Sequence, residues 1–201
     1  MNEPPRTIGR PREFDPNKIL SEIVDLFWQR GYHGTSFREM EIATGEHRQS
    51  LVNAFGDKSA IFQKALQYYI DLRVNEVMEL LRGDEEPLVR VKRVFQRWES
   101  DARASDRRGC LLINTGGEIG AKDATVADIM AKSTQRLVVE FAKTYQQAMD
   151  MNAIADRPTA RSLARLTVAA ADGVILHARV GGNASAAKQA LDALSKLIFD
   201  R

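Results

Sequence analysis

Residues 35–62 read TSFREMEIATGEHRQSLVNAFGDKSAIF. The stretch predicts two short helices joined by a glycine turn, with a third helix following at once. Thr35 or Ser36 can cap the first helix through a side-chain oxygen. Phe37, Met40 and Ala43 recur at intervals of three and share one face. Gly45 supplies the left-handed residue that ends this helix. Leu51 and Phe55 give the next helix an apolar side at i and i+4, while His47, Arg48, Gln49 and Asn53 form a polar one. Two helices in this relation, the second polar outward, make a helix-turn-helix, whose second helix enters the major groove of DNA.

The surrounding residues carry a more specific likeness. Leu26-Phe27, Gly31-Tyr32, Thr35-Ser36, Ala43-Thr44-Gly45, Ser50-Leu51, Phe55-Gly56-Asp57-Lys58 and Ile61-Phe62 stand at fixed spacing. With them, the run from Phe14 to Phe62 resembles the N-terminal DNA-binding domain of the TetR family of bacterial transcriptional repressors. The likeness covers about a quarter of the chain. A weaker one, Arg108-Gly109-Cys110-Leu111-Leu112-Ile113-Asn114, resembles a ligand-binding segment of some subgroups.

Composition sets outer bounds. The chain has 201 residues, 44% of them hydrophobic, enough for one large domain or two small ones. No apolar stretch approaches the roughly 20 residues of a membrane helix. The longest candidate, Leu166 to Leu176, is broken by Asp172 and Gly173. The N-terminus shows no signal region, and a lone cysteine forms no internal disulfide, so a cytoplasmic location is expected. Residues 1–60 hold eight basic and nine acidic side chains, so bulk charge does not argue for nucleic acid. The placement of charge does: Arg6, Arg10 and Arg12 in the arm, Arg38 and Arg48 on the motif, Lys58 at a helix start.

The expected organisation is all-α with about nine helices. Residues 1–13 read as a flexible basic arm, 14–57 as a helix-turn-helix domain, 58–82 as a connecting helix, and 83–201 as a ligand-binding and dimerisation domain. Helix 1 should span about Asp15 to Arg30, with Ile19, Ile23 and Phe27 inward. The connecting helix repeats Phe62, Leu66, Tyr69 and Leu72. Gly83 to Pro87 breaks the chain, and further helices are expected near 87–104, 109–120, 124–150, 158–181 and 184–200. Pro158 fits a first helical turn, and Gly181-Gly182-Asn183 separates the last two helices.

Arg suits guanine, and Gln or Asn suits adenine, so His47, Arg48, Gln49 and Asn53 are the candidate base readers. The resemblance implies Thr35, Ser36 and Lys58 as phosphate anchors, for which hydroxyls, helix N-terminal amides and an ammonium are chemically apt. Simple capping is the competing role for both hydroxyls. Gly9-Arg10-Pro11 resembles a minor-groove hook led by Arg10, against a merely basic tail. Three positions depart from the family pattern. Val52 stands where tyrosine is common and loses a phosphate contact, Glu46 stands where an apolar residue is usual, and Gln49 replaces a frequent glycine.

The resemblance also implies a double-stranded operator, a small-molecule effector and a homodimer, with no cofactor. Candidate effector-binding residues are Trp98, Cys110, Leu111, Asn114, Phe141, Tyr145 and His177, each set against a plain core role. Cys110 follows Arg107-Arg108-Gly109. In a first helical turn beside guanidinium groups it would be an acidic thiol open to electrophiles or oxidants; the other reading is an inert buried residue. The dimer is expected through about 158–200, using Leu163, Leu166, Ala170, Gly173 and Val174, then Leu191, Leu194, Leu197 and Ile198. Arg90, Lys92, Arg93 and Arg97 read as a solvated face.

Two rivals belong to other classes. A helical enzyme has little support: His33, His47 and His177 lack metal-ligand spacing, and a Cys110–His177 pair is weak ground for a nucleophile. A helical ligand-binding or scaffold dimer without sequence-specific DNA binding is the alternative.

Overall fold

The computed structural model describes residues 14–104, 106, 108–156, 158–181 and 184–199. The arm, with Arg6, Arg10 and Arg12, lies outside the described residues, as do Arg107, Gly182 and Asn183. Among the described residues the chain is all-helical, with no strand.

Local sequence sets the first helices. In α1 (Pro16–Arg30) the Asp15 carboxylate accepts from the N–H groups of Asn17 and Lys18 at 3.0 and 3.3 Å, and a proline stands in the first turn. Ile19, Ile23, Val24 and Phe27 face inward. Helix α2 (Phe37–Thr44) begins at a capping box between Ser36 and Glu39 and ends at Gly45 in the left-handed region. Helix α3 (Arg48–Phe55) follows, with Leu51 and Phe55 buried. The third residue inside α2 is Thr44, not Ala43, which is exposed. Met40 to Thr44 is the i+4 step, and the Thr44 hydroxyl donates to the Met40 carbonyl at 2.8 Å, so its burial leaves no orphaned group.

Helix α4 (Lys58–Tyr69), a π turn (Ile70–Val74) and α5 (Asn75–Arg82) run on as one rod. The π turn advances the helical phase. Ile70 and Val74 are therefore buried, while Leu72, expected inside, is 55% exposed. The remainder is α6 (Pro87–Arg103), α7 (Leu111–Thr115) running into a second π turn (Gly116–Gly120), α8 (Ala124–Asp150), α9 (Ala160–Gly181) and α10 (Ala184–Phe199). Pro158 precedes α9 rather than entering it. Thr159 takes the capping role, its hydroxyl accepting from the Ser162 N–H at 3.3 Å.

Two apolar cores result. One joins Phe27, Met40, Leu51 and Phe62 and reaches Leu111, Ile119 and Val126. The other joins Phe95, Trp98, Phe141, Tyr145 and residues of α9 and α10. Four expected dimer residues, Leu163, Leu191, Leu194 and Ile198, lie in this second core. They turn inward because α10 packs on both α9 and α6, which closes that side of each helix. Leu166 and Leu197 remain outside at 53% and 82% exposure. The basic cluster is not a uniform wet face either. The Arg90 guanidinium is buried and donates to the Leu81 carbonyl and to Gln147, while Arg97 binds Glu76 and Asp101. No described helix is long and apolar enough to cross a membrane.

Candidate nucleic-acid interface and ligand cavity

Helix α3 presents Arg48, Gln49 and Asn53 to solvent. The Gln49 side-chain amide donates to the Asn53 side-chain oxygen Oδ1 at 2.8 Å, and the Arg48 guanidinium lies over the Phe37 ring, 4.6 Å from its centroid. His47 is exposed but occupies the N-cap position just ahead of the helix. It sits there because the Glu41 carboxylate accepts from the Arg48 N–H at 2.6 Å and serves the helix start instead.

Five of the seven acids described between residues 14 and 60 are engaged by the framework of this region; Glu46 and Glu22, the latter with a buried and unpartnered carboxylate oxygen, are not. Asp15 and Asp57 cap helices, Glu39 closes the capping box and meets Arg30, and Asp25 pairs with Arg108. Hydrogen bonds from the Ser36 backbone and hydroxyl hold the Glu39 carboxyl below its usual range, with Arg30 and Lys58 adding to the effect. Much of the negative charge is thus committed to helix starts and ion pairs, while Arg38 and Arg48 stay exposed.

Two expected phosphate anchors differ in their surroundings. Ser36 is exposed beside the start of α2. Thr35 is buried, and its hydroxyl donates to the Gly31 carbonyl at 2.8 Å, which corrects the expectation that it faces phosphate. The residue before a helix-capping serine turns inward here to tie off α1. The Lys58 ammonium stands 4.5 Å from the centroid of the Tyr32 ring.

A cavity of about 280 Å³ lies between the connecting rod and α6, α7, α8 and α9. Both π turns contribute to its wall, through Arg73 and Val74 and through Gly116 and Gly117. Of the expected ligand residues it receives Trp98 and Cys110. The other five point elsewhere. The Asn114 amide donates to the Arg108 carbonyl at 2.9 Å, drawn back by the turn it closes. Leu111 belongs to the core under α1. Phe141 packs behind Trp98, and the fully buried Tyr145 hydroxyl bonds Thr167 at 2.9 Å. His177 lies over a separate shallow hollow of small residues between α9 and α10, with Ala170, Gly173 and Val174.

Cys110 is the N-cap residue of α7, not part of its first turn, and its thiol is densely surrounded. Burial pushes the thiol up from its usual pKa, and the nearby Asp172 carboxylate pushes the same way. The Tyr69 hydroxyl donates to its sulfur at 3.5 Å. Arg108, which would lower the pKa, instead pairs with Asp25 and Asp106 and covers Trp28. Of the two readings of Cys110, these surroundings favour the buried, protonated thiol. Iodoacetamide should label Cys110 at least about tenfold more slowly near neutral pH than it labels an unstructured cysteine peptide. Equal or faster labelling refutes this.

Two cavity-related acids escaped the sequence reading. Glu118, on the second π turn, accepts from the backbone N–H groups of Tyr32 and His33 at 2.8 and 2.7 Å, and so joins the cavity wall to the turn ahead of α2. Nothing in the sequence near Glu118 announces that contact. Asp172 lines the cavity, and its only visible signal was the acid interrupting an apolar run. Burial pushes its carboxyl up to about 6 from an ordinary value of 3.8.

The folded state holds that proton more tightly than the unfolded chain, so Asp172 lowers stability progressively between those two pH values and by a constant amount above them. Asp172→Asn should add about 1–2 kcal/mol near pH 8, after allowance for partial exposure, and little near pH 4. Urea unfolding at the two pH values checks this; an equal gain at both would assign the effect to packing.

The family model for the Tetracyclin repressor-like C-terminal domain matches residues 87–194, more than half of the chain. The HTH-type transcriptional regulator YezE of Bacillus subtilis (strain 168) is 28% identical over 144 residues, 71% of this chain and 74% of that protein. The HTH-type transcriptional repressor BdcR of Escherichia coli (strain K12) is 33% identical over 108 residues, 52% of each chain. A solved structure of a cysteine mutant of the TetR family regulator CifR, complexed with 26 bp operator DNA, superposes with a TM-score of 0.81. It is 21% identical and covers 93% of this chain and 98% of its own.

Proposed function

The chain belongs to the TetR family of transcriptional regulators, whose members act by binding DNA and not by catalysis, and from that premise we propose that it is an operator-binding repressor released by a small molecule. The observation that carries this reading is the exposed Arg48, Gln49 and Asn53 on a recognition helix whose first N–H is taken up by Glu41 and whose inner face is anchored by Leu51 and Phe55. In this reading residues 1–13 are the arm, 14–57 the DNA-reading head, 58–82 the connecting rod, and 83–201 the effector and dimer domain. Arg48, Gln49 and Asn53 meet base edges or phosphates, His47, Ser36 and Lys58 contact the backbone at its flanks, and Arg10 enters the minor groove. The protein works in the cytoplasm, where the DNA is.

A dimer follows from the outer face of α9 and α10. Leu166, Leu176, Val180 and Leu197 are exposed there, around the hollow of small residues that admits close helix approach. A two-fold dimer sets two copies of α3 about one DNA turn apart, roughly 34 Å, and calls for a pseudo-palindromic operator. The Glu118 contact gives the effector cavity a route to the head, because a ligand pressing on Gly116 and Gly117 moves the same π turn.

Selection of binding sites from a random duplex pool, at about physiological salt where non-specific contacts are weak, is the test. Enrichment of a pseudo-palindrome supports the repressor reading. A folded dimer that enriches nothing overturns it in favour of the ligand-binding scaffold.

A further inference from the structure

We infer that the cavity between the connecting rod and α9 takes a hydrophobic ammonium compound, held through its N–H donors by the Asp172 carboxylate and through its apolar body by Tyr69, Trp98 and the aliphatic wall. The inference rests on reading this cavity as the effector site, and it names the chemical class of that effector.

Charge pairing within the wall is the first argument. Five ionisable residues besides Tyr69 and Cys110 line the cavity: Arg73, Arg97, Glu76, Asp101 and Asp172. The first four neutralise one another. Arg73 meets Asp101 at 2.6 Å and Glu76 at 3.7 Å, and Arg97 meets Glu76 at 2.7 Å and also Asp101. Asp172 is left as the uncompensated charge, with no hydrogen-bond or ion-pair partner among the described residues. A carboxylate partly withdrawn from water without a partner is costly, and a cation in the same cavity offsets that cost.

The chemistry of the remaining wall narrows the class. Val168, Ile175 and Leu137 line the cavity with Asp172 and offer no hydrogen bonds, and Thr134 adds a single hydroxyl, too little for an anion or a sugar. The Tyr69 hydroxyl and the Cys110 thiol already bond each other. The Tyr69 and Trp98 rings both contribute to the wall, and aromatic faces attract ammonium groups. An anionic ligand meets the Asp172 charge while the two guanidinium groups are engaged by their own acids. A neutral apolar ligand leaves the carboxylate unpaired. An ammonium on an apolar body satisfies both surfaces.

Calorimetric titration of the full chain with naphthylmethylammonium, naphthylmethanol and naphthoate separates these classes. The ammonium should bind at least about tenfold more tightly than the alcohol, and naphthoate should bind weakest. In Asp172→Asn the alcohol should bind as before, while the ammonium falls to within about threefold of it. Equal binding of ammonium and alcohol by the unsubstituted protein, or preference for naphthoate, overturns the inference without recourse to any variant. So does an ammonium preference that survives in Asp172→Asn. Release from the selected duplex, followed in parallel, reports on the proposed function separately. Asp172-dependent ammonium binding that leaves the duplex bound upholds the ligand class and overturns ligand-driven release. Specific duplex binding without ammonium preference upholds the DNA-binding regulator and overturns this inference.

Discussion

Gly31→Ala is expected to lower the free energy of unfolding by about 2–4 kcal/mol and to release the head from the cavity wall. Two physical effects combine. Gly31 has φ 74° and ψ 177°, a backbone region that residues with a Cβ essentially do not adopt, and that strain costs about 1–3 kcal/mol. A Cβ there would also lie 2.5 Å from the Glu118 carboxylate oxygen Oε2. Glu118 is a flexible side chain and can swing away, but doing so breaks its bonds to the Tyr32 and His33 N–H groups. A double-mutant cycle separates the effects. Glu118→Ala removes the clasp alone, and Gly31→Ala added to it should then cost only the backbone strain. Coupling of about 1 kcal/mol or more is expected between the two sites. Hydrogen exchange at the Tyr32 and His33 amides should accelerate in each single variant. Strict additivity, or unchanged exchange in Glu118→Ala, would show that the clasp does not join head and body.

The second large effect is on recognition. Gln49→Ala combined with Asn53→Ala should weaken binding to the selected duplex by about 100-fold while leaving binding to random duplex within about threefold. Both residues are exposed on α3 and neither supports its core contacts, which come from Leu51 and Phe55. Removing their mutual hydrogen bond costs the helix only about 0.2–0.5 kcal/mol, so the loss reads on DNA and not on folding. Arg48→Ala should behave differently if its guanidinium leaves the Phe37 ring for a phosphate. Affinity then falls for both duplexes and the salt dependence drops by about one counterion. Competition binding at two salt concentrations distinguishes these patterns. Equal losses on selected and random duplex for the Gln49, Asn53 pair would refute base reading by α3.

The helix-turn-helix was legible because its signals are local. Asp15, Ser36 and Asp57 cap helices through groups two or three residues away, and Gly45 closes α2 four residues after its last acceptor. The apolar spacing of Ile19, Ile23 and Phe27 fixes the inward face of α1 for the same reason. Misreadings arose where a local pattern permits two answers. Thr35 and Ser36 both carry a capping oxygen, and only packing decided that Thr35 turns inward. Leu72 fits the helical period as well as Ile70 does, and only the π turn chose between them. Leu191 and Ile198 are as apolar as Leu197, and contact with α6 decided which became core.

The sequence by itself determined the helices, their order and the polar face of α3, since each depends on residues within one or two turns. The tertiary structure alone decided the cavity and its chemistry. Glu118 reaches Tyr32 across 86 residues of chain, Tyr69 reaches Cys110 across 41, and Asp172 is left unpaired while the other four charges of the cavity wall pair with one another. Such contacts have no spacing rule, because a side chain's partner across so long a separation is set by how the helices pack and not by its neighbours in the chain.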